Sequence, residues 1–533
     1  MKEIAVAKIA DLQNGQMQQI EVEGSQILLS RINDEFYATG AFCTHYGAPL
    51  AKGIICNETI VCPWHNACFR AIAGQQLEPP GLDSLPTFTT RVEGEDVLVE
   101  LPEDIPAQRT AEMANYVSQS DDRTFVVLGA GAAGMNAVET LRQQGFQGKV
   151  ILVSESIALP YDRTKLSKGY LQGSAKQDSL SLRSCEFYDQ HDIELRFGKA
   201  VTEVDVAQKS LTFEDNSNLS YDSLLLATGG KARKLDVPGA DLANIFTIRK
   251  TEDVNSILNA IEKAKKAVVV GSSFIGMEAA ASLIQQGLEV TVVSPDDVPF
   301  QKILGDKLGK MFQKIHEKKG VIFKSGAKVT EFTGNGSLES AVLEDGSKIA
   351  ADLAIIGIGV ELNTDFVKNI ELNEKDNSVR VNKYLQTEIQ NVYAAGDLAS
   401  FPYTPMGEHT RIEHWRLAAQ QGRIAATNML SQASQSAITV DNIVPFFWSG
   451  QYDLKLRYVG HAEQWDEVFI DGDLDAPEFL AFYLLNNKVM AVAGINRDRE
   501  IAAISELMRL QKMPDAATVK HQSTNWLDLK ALS

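Results

Sequence analysis

Two strand–glycine–helix units limit what this chain can fold into more than any other feature. The run Thr124-Phe125-Val126-Val127-Leu128 stops in Gly129-Ala130-Gly131-Ala132-Ala133-Gly134 and continues as a helical pattern. Glycines at those places permit a tight turn, close approach of backbone to a pyrophosphate, and close helix packing, while the helix N-terminus supplies a favourable dipole. The following strand ends at Glu155, 21 residues past Gly134, where a carboxylate can accept from ribose hydroxyls. The arrangement returns as Ala267-Val268-Val269-Val270 followed by Gly271-Ser272-Ser273-Phe274-Ile275-Gly276, with Ser273 in place of the middle glycine. Here the next strand ends at Ser294, where an acid is usual. The stretch 294–301, SPDDVPFQ, offers no Lys or Arg to a 2′-phosphate, which leaves NADH against NADPH open with NADH slightly favoured. The expected dinucleotide contacts are Gly129, Gly131, Ala133, Gly134 and Glu155 in one unit and Gly271, Ser273, Ile275, Gly276 and Ser294 in the other.

A second signal is concentrated near the N-terminus. Four of the five cysteines (Cys43, Cys56, Cys62 and Cys68) fall in one short stretch, too few for a disulfide framework and suggestive of metal chemistry in a reducing compartment. Cys43-Thr44-His45 and Cys62-Pro63-Trp64-His65 are separated by 16 residues. Two Cys-His pairs at this spacing suit a [2Fe–2S] cluster in which two imidazoles hold one iron and two thiolates the other. A structural Cys2His2 zinc site is the alternative, although such sites usually group like ligands together. Cys56, Cys68 and Cys185 are expected to be buried small hydrophobes.

At 533 residues the chain has room for three or four domains. Short β signals fill residues 1–105, as in a small all-β domain. A polar, aperiodic segment at 106–121 reads as a linker or a loosely docked segment, which would let the first domain dock near the flavin or swing toward a partner. Strands alternating with helices follow, assigned as a first flavin-domain part at 122–243, a nicotinamide domain at 244–365 and a second flavin-domain part at 366–440. An α+β domain closes the chain at 441–533. The net charge of −19 argues against a nucleic-acid partner. With no apolar run near the roughly 18 residues of a membrane span and no signal peptide, a cytoplasmic location is expected.

The loops CTHYGAPL and CPWHNACF resemble the Rieske family. Ala48 and Trp64 stand where its high-potential branch has a disulfide, and Ala67 and Phe69 where hydroxyls donate to sulfur, so the resemblance implies a low-potential centre. The segments LLLATGG (224–230), VYAAGD (392–397), PYDRTKLSK (160–168), RIEHWRLAAQQGR (411–423) and PFFWSGQYD (445–453) resemble the ferredoxin-reductase and apoptosis-inducing-factor branch of the two-dinucleotide-fold flavoproteins. That resemblance implies FAD contacts from Ala227, Thr228 and Gly229. It implies a ribityl contact from Asp397, and Arg163 and Lys168 beside the flavin and phosphates. Lys168 and Glu278 would form a catalytic pair, with an ordinary surface ion pair as the alternative. Trp415 and Trp448 would flank the ring system, with core packing as the equal alternative. No C-x4-C or C-x-x-C dithiol follows the first 100 or so residues, which argues against thiol–disulfide chemistry. His409 and His414, an H-x4-H pair inside a flavoprotein motif, are read as a coincidence rather than a mononuclear iron site.

The combined expectation is an FAD enzyme in which hydride from NAD(P)H leaves as single electrons through the cluster, toward an oxygenase, a ferredoxin, a cytochrome or a small oxidant. The rivals are a redox sensor that signals through partners and a Rieske oxygenase with its own mononuclear iron.

Overall fold

A computed structural model describes residues 2–362, 364–431, 437–521 and 525–528. The N-terminal domain holds two antiparallel sheets. One has six strands in the order Lys2–Lys8, Asp96–Leu101, Thr87–Glu93, Glu35–Gly40, Ser25–Ile32 and Met17–Val22. The other has four, Ile54–Cys56, Thr59–Val61, Cys68–Arg70 and Gln76–Glu78. The loop carrying Cys62 and His65 joins the second and third strands of the smaller sheet.

The two glycine units each form a five-stranded parallel sheet. In the first, Thr124–Leu128 lies between Lys149–Ser154 and Ser223–Leu226, and the edge strand Val392–Ala394 is contributed from far along the chain. The second sheet, centred on Lys266–Val270, is therefore inserted within the first unit. Val126, Val127, Val268 and Val269 are fully buried, as a strand with helices on both faces requires.

The C-terminal sheet has five antiparallel strands, and its strand Glu478–Leu485 shows why that apolar run is continuous. Phe479, Ala481 and Tyr483 face a core shared with Leu304, Leu308 and Met277. Leu480, Phe482 and Leu484 face Ile501, Ile504 and Leu507 of the helix Asp498–Arg509. Alternate side chains thus fill two different cores.

The segment at 106–121 contains no named helix or strand, and backbone hydrogen bonds dock it, the second of the two readings its composition allowed. Arg109 and Ser84 exchange backbone hydrogen bonds (2.8 and 3.1 Å), Ala114 N–H donates to Arg142 O (2.9 Å), and Val117 N–H donates to Gln147 O (2.8 Å). Polar aperiodic sequence satisfies an extended strap as well as it does a flexible tether, which is why composition alone did not separate them. The domains it joins share a buried ion triad. Arg183 donates to Asp83 of the N-terminal domain (2.7 and 3.0 Å) and to Glu139 of the helix Ala132–Gln143 (2.9 and 3.0 Å). Burial pushes the Glu139 carboxyl up, and Arg183 works against that shift. Among the described residues, no helix is long and apolar enough to cross a membrane.

Replacing Arg183 with Met leaves two buried carboxylates without their cation. Breaking a buried pair in this way costs about 3–5 kcal/mol. Urea unfolding should show a loss of that size, and one below about 1 kcal/mol, the scale of an exposed pair, would contradict the buried triad.

Candidate functional site

The first glycine unit opens onto a cavity of about 430 Å³. Its wall includes Gly129, Gly131, Ala133, Glu155, Arg163, Ala227, Thr228, Gly229, Asp397, Trp415 and Ile275, so most of the residues expected around the flavin meet there. Two glycines are required by close approach. Gly129 has φ +114°, and a Cβ there would stand 2.3 Å from Ala227 O, while one at Gly134 would stand 1.8 Å from Gly129 O. Gly131 differs, because a Cβ there would meet nothing within 4 Å of the protein and would project into open space. Ala133 supports the site in a second way: its backbone lies where a Cβ on Gly422 would come within 2.1 Å of its carbonyl, so the helices Ala132–Gln143 and Trp415–Leu430 cross in close contact.

The polar groups of the cavity suit an anionic, hydroxyl-rich ligand. Arg163 Nε and Thr228 Oγ1 are buried without a partner. Burial pulls the Arg163 guanidinium down, and the nearby Arg249 adds to the effect. Arg249 reaches Asp397 Oδ2 at 3.3 Å, and Lys250 pairs with Glu155 at 2.6 Å. Arg249 and Lys250 lie in no recognisable motif, and sequence reasoning missed them.

Lys168 and Glu278 do pair, at 2.9 Å, but neither is among the residues lining this cavity. The pair is not an ordinary surface contact. Glu278 is 3 % exposed and also accepts from Ser167 Oγ and from Ser449 Oγ (2.7 Å).

The second unit repeats the glycine geometry. A Cβ on Gly271 would lie 2.3 Å from Gly357 O, and one on Gly276 would lie 2.2 Å from Gly271 O. Ser273 caps the helix Phe274–Gln285 in position, and its hydroxyl donates to Gly357 O at 3.0 Å. Ser294 is 4 % exposed, and its hydroxyl accepts from Ser272 Oγ at 2.8 Å and from Asp296 N–H at 3.2 Å.

The two Cys-His loops are built alike. Cys43 N–H donates to Ala48 O (2.9 Å) and Cys62 N–H to Ala67 O (2.8 Å). Each loop turns through a left-handed residue four positions after its cysteine, Gly47 (φ +71°) in one and Asn66 (φ +58°) in the other. These are residue types that accept this conformation. The loops bring His45 Nδ1 and His65 Nδ1 to 3.0 Å, and they place the Cys43 and Cys62 thiols in hydrogen-bonding contact. Burial and the neighbouring His45 hold His65 well below the usual imidazole range, keeping it neutral as metal ligation requires. Burial opposes ionisation of Cys62, but Cys43 and the backbone N–H groups of Trp64 and His65 lower its pKa. One nitrogen pair and one sulfur pair fit two irons better than one zinc.

Trp448 is not at the cavity. Its ring lies against His65, with centroids 4.2 Å apart, and the flavin wall is left to Trp415. Cys56 and Cys68 are buried as expected, but Cys185 is exposed at the start of a short helix. His409 Nε2 contacts Val381 O at 3.1 Å, while the His414 ring packs on Phe447.

Together these features define a two-dinucleotide-fold oxidoreductase with an iron–sulfur domain fused in front. Residues 123–422 match the Pyridine nucleotide-disulphide oxidoreductase family, residues 2–89 the Rieske [2Fe-2S] domain, and residues 446–532 the Reductase C-terminal domain. The chain is 38% identical over 515 residues to Apoptosis-inducing factor 3 of Mus musculus, covering 95% of this chain and 84% of that protein. It is 32% identical over 391 residues to Rhodocoxin reductase of Rhodococcus erythropolis, covering 72% and 89%. The crystal structure of the covalent putidaredoxin reductase–putidaredoxin complex superposes with a TM-score of 0.72 at 28% identity, covering 77% of this chain and 98% of that one. The chain belongs to the pyridine nucleotide-disulphide oxidoreductase family and carries a Rieske domain before it. It is a ferredoxin-reductase-like, NAD(P)H-dependent oxidoreductase whose cofactors are FAD, a Rieske [2Fe–2S] cluster and a nicotinamide. The disulphide of the family name has no counterpart in this flavoprotein part, where Cys185 is the single cysteine.

The glycine geometry separates fold from binding. Gly134→Ala should lower both thermal stability and FAD content, whereas Gly131→Ala should keep the melting temperature of the flavin-free protein and weaken FAD binding. Equal effects of the two substitutions on stability would contradict the contact pattern.

Proposed function

We propose that this chain oxidises a nicotinamide, with NADH favoured, and passes electrons singly through its own Rieske cluster to a one-electron acceptor protein. Bound FAD supplies what the polypeptide lacks, the capacity to take up hydride and release electrons one at a time. The observation that carries the proposal is the junction between cavity and cluster loops. Thr164 lines the cavity and donates through its N–H (3.0 Å) and hydroxyl (2.6 Å) to Asp162, and Asp162 in turn faces His45 and Tyr46.

Each side chain then has a definite task. Cys43 and Cys62 hold one iron and His45 and His65 the other. Asp397 and Glu155 take ribityl and ribose hydroxyls, each already oriented by a cation. Arg163 and Thr228 bring the unpartnered donors that a phosphate or carbonyl oxygen would satisfy. Trp415 excludes water from the ring, and the hydroxyls of Ser167 and Ser449 hold Glu278 in place against Lys168. Ser294 adds no charge that would repel a 2′-phosphate, and Lys302 already faces Asp296 at 3.5 Å, so the preference for NADH should be modest. Buried Ala67 and Phe69 offer no hydroxyl to the cluster, in keeping with a low potential. The ferredoxin reductases among the relatives make a ferredoxin-type protein the first acceptor to try, ahead of an oxygenase or cytochrome. The free cysteines suit a cytoplasmic location.

His65→Ala tests the proposal. NADH should still bleach the flavin at close to the wild-type rate, while delivery to the acceptor protein falls steeply. Cluster-free, FAD-replete protein that serves the acceptor at the wild-type rate would overturn it.

A further inference from the structure

The outer face of the cluster site is completed jointly by Tyr46 of the Rieske domain and by the reductase. Because His45 and His65 converge through Nδ1, the Nε2 of His45 points away from the cluster, and it lies 3.7 Å from Asp162 Oδ2. Asp162 belongs to the flavin-side loop and is 2 % exposed. Its Oδ1 accepts from Thr164 N–H (3.0 Å) and Thr164 Oγ (2.6 Å), and its Oδ2 accepts from the Tyr46 hydroxyl. Four polar groups thus meet this buried carboxylate: the Thr164 N–H and hydroxyl, the Tyr46 hydroxyl and the outer edge of the His45 ring. Tyr46 also stacks on the His45 ring, with centroids 3.8 Å apart and planes 17° from parallel. The imidazole is thereby fixed between the cluster position and the buried charge.

We propose that Asp162 is a positioning residue for the cluster: docked against His45, its negative charge lowers the reduction potential of the Rieske centre. This role rests on His45 being a cluster ligand. Adding an electron makes the cluster more negative, and a nearby buried anion opposes that step more strongly than an exposed one would. Outer partners of a ligating histidine also raise its basicity and place more electron density on the metal. The reductase half thus sets the potential of the centre it feeds, and only in the docked arrangement.

The test is an EPR-monitored redox titration of the holoprotein and two variants. Asp162→Asn keeps the size and hydrogen-bonding oxygen but removes the charge, and its potential should shift upward. Asp162→Glu restores the charge and should return the potential toward that of the wild type. An unshifted Asn variant, or Asn and Glu variants that move together, overturns the proposal. Should the Asn variant lose its cluster, Tyr46→Phe keeps the carboxylate and removes one donor that shares its charge. The potential should then fall, and a rise overturns the proposal. A wild-type protein with no Rieske-type signal overturns the ligand assignment and this role with it, which separates the two failures.

Discussion

A guanidinium buried away from water persists only where carbonyls and carboxylates surround it, and two such arginines hold the cluster domain against the reductase. Arg183 joins Asp83 to Glu139, as described above. Arg416, 3 % exposed at the start of the helix Trp415–Leu430, donates to Asn66 O (3.1 Å) and Pro79 O (3.0 Å). Asn66 is the left-handed residue of the second cluster loop, and its amide also reaches Ser505 Oγ at 2.9 Å. The loop that presents Cys62 and His65 is therefore shaped by a residue whose own bonds end in the other domains. The helix that opens with Trp415 at the flavin cavity also anchors the cluster loop through its next residue.

This arrangement gives the Rieske domain a fixed station. The histidine edge of the cluster site is covered by Tyr46, Trp448 and Asp162, each within contact of His45 or His65. An apolar patch of Ile54, Val61 and Cys68 closes against Ala502 and Ala503 of the C-terminal helix. Leaving that position would expose the arginine triad, the apolar patch and the Asp162 contact together. The contacts that hold the domain are thus spread over three parts of the reductase.

The glycine turns and the Cys-His pairs were legible because each is demanded by local geometry that only a few residue types can satisfy. What crosses between domains was not. Asp162 stood inside a quoted motif but gained its importance only from Tyr46 and His45, more than 110 residues earlier. Arg183, Arg249 and Lys250 belong to no periodic pattern, because a buried cation is defined by its distant partners. Trp448 and Trp415 looked equivalent in sequence, and packing separated them: one covers a cluster histidine and the other lines the cavity. Ser294 sits at the position of the usual acid, and its bond from Ser272 Oγ was not legible in the motif. Whether the segment 106–121 is a tether or a docked strap was left open by its composition, which reports solvation and not attachment.

The most direct test of the central claim, that a chain reduces its own cluster in a docked arrangement, is anaerobic stopped-flow reduction by saturating NADH over a wide range of protein concentrations. Flavin and cluster absorbance would be followed together. The docked arrangement predicts a cluster-reduction rate constant independent of protein concentration. A rate that rises in proportion to concentration would show that electrons reach the cluster from another molecule and would contradict it.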